Sequence, residues 1–188
     1  MSIKTVTELL EQKGINAKAT DARELIKTDG NYGNAQPIID VSKENVNAYF
    51  EKNNGTTVNV VTGFIASTLN NETTTLGRNG SNYTASLLAN YLDAEELQNY
   101  THVDGIFTAN PDLVTDAKKI EELSFSEANE LANFGANILH AKTIIPLLEK
   151  NINLRILNTF NPGDKGTLIT AKSKNKGIKS LSVLDKVA

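Results

Sequence analysis

The 188-residue sequence contains no cysteine, no tryptophan, a single methionine and only two histidines. Without cysteine there is neither a disulfide framework nor a thiolate metal site, and two distant histidines lack the spacing of a structural zinc site. No segment approaches the roughly 18 apolar residues of a membrane span, and the N-terminal residues lack the apolar core and cleavage site of a signal peptide. We therefore expect a cytoplasmic protein without a membrane partner, whose chemistry uses oxygen and nitrogen groups.

Charge is spread unevenly along the chain. The net charge is −3, but residues 164–188 hold six lysines against two acidic residues. Nucleic-acid surfaces usually interleave arginine and aromatic residues with lysine, and this basic tail contains neither. The tail is interpreted as a solvated linker or strand edge, and no nucleic-acid partner is expected. The length fits a single domain with a sizeable core.

Apolar periodicity alternates between helix and strand from the N-terminus. It predicts a helix over residues 4–13, a strand near residues 15–22, a loop over residues 29–36 and a helix over residues 41–52 that Gly55 ends. A β-branched run follows, TTVNVVTGFIAS, which is typical of one buried strand. The segment from Thr73 to Leu92 then predicts a strand, a glycine-containing turn and a helix.

The second half continues the alternation. A strand is expected in EELQNYTHVDGIFTANPD, and Ser124 with Glu127 forms a capping box for a helix that stops at Gly135. Thr143 is predicted to cap another helix with Pro146 in its first turn, and INLRILNTFN and GTLIT read as strands around a turn. Strands with continuous apolar runs between helices favour an α/β fold with a mainly parallel sheet covered on both faces.

The turn between Thr73 and Ser81 is the most informative candidate site. Gly77 and Gly80 let backbone amides approach a ligand closely, and the following helix N-terminus favours an anion. Arg78 adds a planar fork for a carboxylate or phosphate. From spacing alone a capping turn, with Ser81 or Asn82 as N-cap, remains equally open.

Five long segments follow one another in the order VVTGFIAS, TTTLGRNGSNYTASLLANYLDAEEL, THVDGIFTANPDLV, ELANFGANILHAKTI and RILNTFNPGDKGTLI. These segments, in this order, resemble those of the aspartate kinases, and the resemblance covers most of the chain. The asparagine in GRNGS and the segment NYTHVDGI are similar to the kinase portions of bifunctional aspartate kinase/homoserine dehydrogenases.

The resemblance implies an amino-acid kinase fold, a three-layer αβα sandwich with a mainly parallel sheet. It implies phosphorylation of the β-carboxylate of L-aspartate by ATP with Mg²⁺, and no resident metal site on the protein. It also implies that residues 1–170 are the nucleotide-side portion of the kinase domain, and that residues 171–188 are a linker and the first strand of a regulatory domain. The chain is then expected to be a piece of a longer enzyme, inactive by itself, and to form a homo-oligomer.

The resemblance also implies roles for individual residues. Thr75, Arg78 and Ser81 match positions that line the aspartate site. The nucleotide side matches Thr101, His102, Phe107, Asp112 and Asn137. The family's phosphate-binding lysine matches no residue of this chain, so the catalytic residues are left unassigned.

Four of these positions, and also Asn82 beside Ser81, depart from the family's usual residues. Asn82 and His102 stand where aspartate is usual, Phe107 where tyrosine is usual, Asp112 where arginine is usual, and Asn137 where lysine is usual. Losing two cations would remove charge-assisted contacts to a polyphosphate, each worth about 1.5–3 kcal/mol. A non-catalytic binding or assembly module with a degenerate kinase fold therefore stays open as an alternative. Another amino-acid kinase, acting on glutamate or carbamate, is disfavoured by TTTLGRNGSNYTA.

Overall fold

The computed structural model describes residues 2–52, 57–109, 111, 113–133 and 141–171. The chain divides into two compact units, with the boundary between Leu92 and Asp93. Each unit contains helices and strands of its own.

The first unit carries two small sheets and four helices among its described residues. In the first sheet β1 and β3 pair in parallel. In the second sheet, ordered β2, β4, β5, the β2–β4 pair is parallel and the β4–β5 pair antiparallel. The elements are α1 (Ser2–Gln12), β1 (Ala17–Thr20), α2 (Ala22–Leu25), β2 (Lys27–Thr28), α3 (Ile39–Lys52), β3 (Val58–Val61), β4 (Ile65–Thr68), β5 (Thr73–Thr75) and α4 (Gly80–Tyr91).

The core of the first unit lies between α2, α3, α4 and β4. Burial of each large apolar side chain there contributes about 1.5–3 kcal/mol. Since Leu76 precedes the glycine turn and Leu87 lies on α4, the core fixes both sides of that turn. The buried members are Leu25, Ile26, Val46, Ala66, Leu76, Leu87 and Tyr91.

The run TTVNVVTGFIAS forms two strands, so the prediction of one buried strand is wrong. Residues 62–64 separate β3 from β4, and Phe64 has a left-handed φ of 76°. The Phe64 N–H donates to Thr84 Oγ1 at 3.2 Å, and its carbonyl accepts from the Leu76 N–H at 3.0 Å. These bonds to α4 and to the residue after β5 hold the break. Along β3 the side chains are exposed or half-buried rather than buried.

The second unit carries a four-stranded sheet in the order β6, β8, β9, β7. The β6–β8 and β7–β9 pairs are parallel, and the central β8–β9 pair is antiparallel. Among the described strands of both units, parallel pairs therefore predominate, as the sequence predicts. The elements are β6 (Glu96–Thr101), β7 (Glu122–Ser124), α5 (Phe125–Asn133), α6 (Ala141–Glu149), β8 (Asn153–Asn158) and β9 (Thr167–Thr170).

The predicted capping box at the start of α5 is confirmed. Glu127 Oε2 accepts the Ser124 N–H at 2.7 Å, and Ser124 Oγ accepts the Glu127 N–H at 3.3 Å. The predicted cap of the next helix is wrong, because Thr143 already lies inside α6. Pro146 is an interior residue of that helix, a position at which proline has no backbone N–H to donate.

The remaining sequence predictions divide into two groups. The helix near residues 4–13, the loop over residues 29–36 and the strands within INLRILNTFN and GTLIT are confirmed. The predicted helix stops at Gly55 and Gly135, and the strand expected beyond residue 176, lie outside the described residues.

Candidate functional site

A tight turn brings β5 into α4. Gly77 and Asn79 both have left-handed φ angles, 77° and 57°, and the Gly80 N–H closes the turn on the Gly77 carbonyl at 3.0 Å. A Cβ atom at Gly80 would lie 2.8 Å from the Phe64 ring, so only glycine lets the break between β3 and β4 pack against this turn. The sequence thus encodes the close approach of two loops at the start of a helix.

An open cleft of about 500 Å³ lies at this helix start. It contains two of the residues predicted to bind aspartate, Arg78 and Ser81, both of which are exposed. It also contains Gly33 from the loop before α3, and Phe64. The lining residues are Gly33, Phe64, Gly77, Arg78, Asn79, Gly80, Ser81 and Asn82.

The cleft presents unclaimed hydrogen-bond donors. Within the part of the chain that the structure describes, the Arg78 guanidinium makes no ion pair, and the Ser81 hydroxyl makes no hydrogen bond. Asn79 occupies the N-cap position, yet its side chain does not cap the helix, and the N–H groups of Ser81 and Asn82 meet no acceptor among the described residues. Open amides, the helix dipole and a guanidinium make the cleft suited to a carboxylate or phosphate.

Thr75, the third predicted aspartate-binding residue, is not among the residues that line the cleft. Its hydroxyl and its N–H both donate to the Tyr32 carbonyl, at 2.9 and 2.8 Å, and its carbonyl accepts the Ala35 N–H at 2.9 Å. Thr75 therefore ties the loop of residues 29–36 to β5. Its role toward a ligand stays a prediction.

Gly33 and Phe64 were not predicted from the sequence as cleft residues. The glycine in NYGNA was the available signal for the first, and Gly63 was the signal for the second. Neither glycine indicates by itself that its loop lines the cleft, because this depends on how loops that are distant in sequence pack together.

On the predicted nucleotide side, Thr101 and His102 lie at the carboxyl end of β6 in the second unit. The Thr101 carbonyl accepts the Thr159 N–H at 2.8 Å, which ties β6 to the turn after β8. Thr101 Oγ1 lies 3.4 Å from Nδ1 of His102, whose side chain is exposed. Because β6 and β8 are parallel neighbours, both strands end at the same edge, where ligands of α/β sheets bind.

Asp104 is the polar centre of this edge; it lies in the predicted nucleotide-side stretch from Tyr100 to Asp112 but was not singled out there. Its Oδ1 accepts from the side-chain amides of Asn158 at 2.8 Å and Asn161 at 3.1 Å. The Asn158 Oδ1 in turn accepts the Phe160 N–H at 2.9 Å. The two loops that follow β6 and β8 are thereby joined.

Phe107, a third predicted nucleotide residue, is half-buried and forms a β-bridge with Lys119. Asp112 and Asn137, the other two, lie outside the described residues. The structure therefore places Thr101 and His102 together and Phe107 in the connection between β6 and β7.

Three cations among the described residues of the second unit are held by carboxylates, and one of them is Lys150, which pairs with Asp93. Arg155 donates to both oxygens of Glu96, with distances of 2.9 to 3.1 Å, and Lys119 pairs with Asp164. Hydrogen bonds from the Arg155 guanidinium hold the pKa of Glu96 below its ordinary value, and the Lys119 ammonium lowers the pKa of Asp164 in the same way. Both pairs stabilise loops and strands of this unit.

Neither a metal centre nor a membrane helix is found in the described part of the chain. No group of three or more His, Asp or Glu side chains there is arranged to hold a metal ion. None of the described helices combines the length and the apolar character needed to span a bilayer.

Comparisons with known proteins agree with this architecture. Residues 1–158 match the model of the amino acid kinase family. The aspartokinase of Rickettsia felis is 40% identical over 167 residues, which cover 88% of this chain and 41% of that protein. The lysine-sensitive aspartokinase 3 of Escherichia coli is 36% identical over 175 residues, which cover 93% of this chain and 39% of that protein.

Solved structures give the same result. The crystal structure of E. coli aspartokinase III in complex with aspartate and ADP superposes with a TM-score of 0.85 at 36% identity, covering 93% of this chain and 39% of that one. The chain thus spans about two fifths of the length of these two relatives. The α/β architecture with mainly parallel sheets is that of these neighbours, and the chain belongs to the amino acid kinase family.

Proposed function

We propose that this protein is an aspartokinase, which transfers the γ-phosphoryl group of ATP to the β-carboxylate of L-aspartate. The observation that carries the proposal is the cleft at the start of α4, where Arg78 and open helix amides face solvent without a partner among the described residues. Support comes from relatives named as aspartokinases and from a similar structure that holds aspartate and ADP.

The amino acid would bind through its carboxylates. The Arg78 guanidinium has the planar fork that pairs with a carboxylate through two parallel hydrogen bonds. The N–H groups of Ser81 and Asn82 and the Ser81 hydroxyl would orient the other acceptor oxygens, with the dipole of α4 behind them. Thr75, the third proposed aspartate-binding residue, does not line the cleft, and it would act on the substrate through the loop of residues 29–36, to which its hydroxyl donates a hydrogen bond.

The reaction requires no general base. A β-carboxylate with a pKa of about 3.9 is already ionised at neutral pH, so its oxygen attacks the γ-phosphorus directly. A new O–P bond forms, the bond to the β,γ-bridging oxygen breaks, and ADP leaves. Positioning and charge neutralisation therefore account for most of the catalysis in phosphoryl transfer.

The nucleotide would bind through the second unit. Thr101, His102 and Phe107, together with Asp112 and Asn137, are the proposed nucleotide residues. When bound, Mg²⁺ would neutralise charge on the phosphates, and it is usually held by substrate phosphates plus one or two carboxylates. The carboxylate of Asp104 beside the end of β6 has the donor type that such an ion accepts.

We also propose the setting of the activity. The product, aspartyl phosphate, would feed lysine, threonine and methionine synthesis in the cytoplasm. The protein is proposed to work as a homo-oligomer without nucleic-acid or membrane partners.

Calorimetric titration tests the proposed aspartate-binding and nucleotide-binding residues separately. The chain should bind L-aspartate and Mg-ATP independently, in the micromolar to millimolar range, and L-glutamate more weakly. The protein at full natural length should then form aspartyl phosphate, trapped as its hydroxamate and matched to ADP release. Absence of L-aspartate binding to a folded chain would overturn the assignment of the cleft.

A second candidate is a non-catalytic binding module with the same fold. It is favoured by the nucleotide side, where Arg155 and Lys119 are paired with carboxylates and residues 112 and 137 carry no positive charge. A folded full-length protein that binds L-aspartate yet releases no ADP would favour this module. ADP release that depends on L-aspartate would eliminate it.

A further inference from the structure

The loop of residues 29–36 is closed on itself by one carboxylate. Asp29 Oδ1 accepts the N–H groups of Asn31 and Gln36, both at 3.1 Å. The Asp29 N–H donates to the Gln36 carbonyl at 3.0 Å, so both ends of the loop are fastened together. The loop therefore has a defined shape before any ligand is present.

The closed loop is docked against the chain that leads into the glycine turn. Thr75 takes part in three hydrogen bonds with it, two to the Tyr32 carbonyl and one from the Ala35 N–H. The Tyr32 hydroxyl donates to Glu72 Oε2 at 2.9 Å. Asn34 fills the place where a side chain at Gly77 would lie, since a Cβ atom there would be 2.6 Å from Asn34 Oδ1. These contacts fix the loop relative to Arg78.

Gly33 is the residue of this loop that lines the cleft. A Cβ atom on Gly33 would meet no atom within 4 Å, and the residue does not adopt the left-handed φ that favours glycine. Neither backbone strain nor packing within the protein therefore requires glycine at this position. The open space beside it belongs to the cleft.

We propose that Gly33 is a specificity-determining residue, whose missing side chain leaves room for the amino acid held by Arg78 and the start of α4. This inference rests on the proposed function, because it takes L-aspartate as the occupant. The docked loop acts as a rigid wall, and any side chain at position 33 takes space from the ligand. The wall thereby limits the cleft to a small acidic amino acid.

The chain offers a matched control in the same loop. Gly30 also has no atom within 4 Å of a Cβ position and no left-handed φ, but it does not line the cleft. Gly33→Val and Gly30→Val therefore add the same side chain to equally open positions. Both variants should keep the wild-type unfolding temperature, because a Cβ atom at either position meets no atom within 4 Å.

Calorimetric titration with L-aspartate tests the proposal. A group that occupies the ligand's space should weaken binding at least about tenfold in Gly33→Val, since misfit by a methylene or more costs roughly 10- to 200-fold. Gly33→Ala should lie between this variant and the wild type, and Gly30→Val should stay within about twofold of the wild type. Equal affinities for wild type and Gly33→Val would overturn the proposal and leave the proposed function intact.

A second measurement remains informative if the wild type does not bind L-aspartate, a result that would count against the proposed function itself. Amide ¹H–¹⁵N spectra of the ligand-free variants report whether residue 33 faces the cleft. The amides of residues 77–82 should shift in Gly33→Val and stay in place in Gly30→Val. If neither variant or both variants shift these amides alike, Gly33 is not the wall of this cleft.

Discussion

Arg78 and Arg155 show how differently the two units use the same side chain. Arg78 is exposed at the glycine turn of the first unit, with no carboxylate partner in the described part of the chain. Arg155 lies on β8 of the second unit and clasps both oxygens of Glu96 across the β6–β8 pair. A guanidinium without an internal partner is available to a ligand, whereas a paired one stabilises the strands that carry it.

The same contrast extends beyond these two arginines. In the first unit the backbone amides of Ser81 and Asn82 meet no acceptor among the described residues, and Gly33 leaves empty space in the same cleft. In the second unit the polar side chains near the ends of β6 and β8 bind one another. The Asp104 carboxylate accepts hydrogen bonds from the side-chain amides of Asn158 and Asn161. A candidate site is therefore marked by polar groups that have no hydrogen-bond partner among the described residues, rather than by the number of polar residues.

The largest effect is expected from a glycine of the second unit that serves structure alone. A Cβ atom at Gly166 would lie 1.8 Å from the Ile156 carbonyl oxygen, and the residue has a left-handed φ of 67°. Gly166→Ala should therefore lower the free energy of unfolding by about 3 kcal/mol or more. Urea denaturation measures this, with Gly163→Ala as control, since a Cβ atom there meets nothing within 4 Å. Equal stability of the two variants would contradict the described turn.

Exchanging the two arginines for alanine should separate binding from stability. Arg78→Ala should weaken L-aspartate binding about 10- to 100-fold by removing charge-assisted hydrogen bonds, and should leave the unfolding free energy unchanged. Arg155→Ala should lower the unfolding free energy by about 1–2 kcal/mol, because it leaves a half-buried Glu96 without its partner. Calorimetry and denaturation on both variants make the test.

Arg78→Lys provides the control for geometry. It keeps the charge but loses the planar fork, so its affinity should fall between those of the wild type and Arg78→Ala. A loss of affinity in Arg155→Ala equal to that in Arg78→Ala would erase the contrast between the two units.

The pair between Glu96 and Arg155 should also make stability depend on pH. Hydrogen bonds from Arg155 hold the pKa of Glu96 below its ordinary value near 4.5, with partial burial opposing the shift. The folded state therefore binds the proton less readily than the unfolded chain, so this stabilisation is present above pH 4.5 and is lost as the pH falls below it.

Denaturation at a series of pH values between 7 and 3 measures how much the pair between Glu96 and Arg155 contributes to the free energy of unfolding. Glu96→Gln should lose about 1 kcal/mol of stability at neutral pH and should then destabilise less steeply than the wild type on acidification. Glu121→Gln is the matched control, because Glu121 is an exposed glutamate of the same unit with no ion pair among the described residues. Parallel acid profiles for Glu96→Gln and the wild type would contradict the pairing.

The smallest effect is expected at the hydrogen bond between Tyr32 and Glu72, which holds the loop of residues 29–36 at the protein surface. Tyr32→Phe removes the hydroxyl that donates to Glu72, and should cost about 0.5 kcal/mol because both groups are exposed. Tyr49→Phe removes a part-buried hydroxyl bonded to Thr20 at 2.7 Å, and should cost about 1 kcal/mol. Only Tyr32→Phe should speed amide hydrogen exchange in residues 29–36. Faster exchange in both variants would mean that the loop responds to any loss of stability.

Local chemistry made much of the fold predictable. The capping box of Ser124 and Glu127, the helix after the glycine turn and the α/β alternation all depend on residues close in sequence. The break at Phe64 was not predictable, because an aromatic residue adopts a left-handed φ there only through bonds to Thr84 and Leu76. Threonine is a common N-cap residue, but Thr143 lies inside α6, where tertiary packing buries its side chain.

The candidate site was predictable where one turn supplies the residues. Arg78 and Ser81 lie within four residues of each other and both reach the cleft. Gly33 comes from a loop more than forty residues earlier in sequence, and Thr75 is drawn away from the cleft by that same loop. Contacts between distant segments decide such positions, and no local pattern encodes them.

The docked loop has a consequence for association between molecules. β5 is one of the two edge strands of its sheet, and its N–H and C=O groups at Thr75 are occupied by Tyr32 and Ala35. An uncovered edge strand is a template on which a second chain can add and begin aggregation. A substitution that opened this loop to admit a larger amino acid would also expose the backbone groups along the edge of β5. Widening the specificity of the cleft and keeping the protein free of strand-to-strand aggregation are therefore opposing demands on the same eight residues, 29–36.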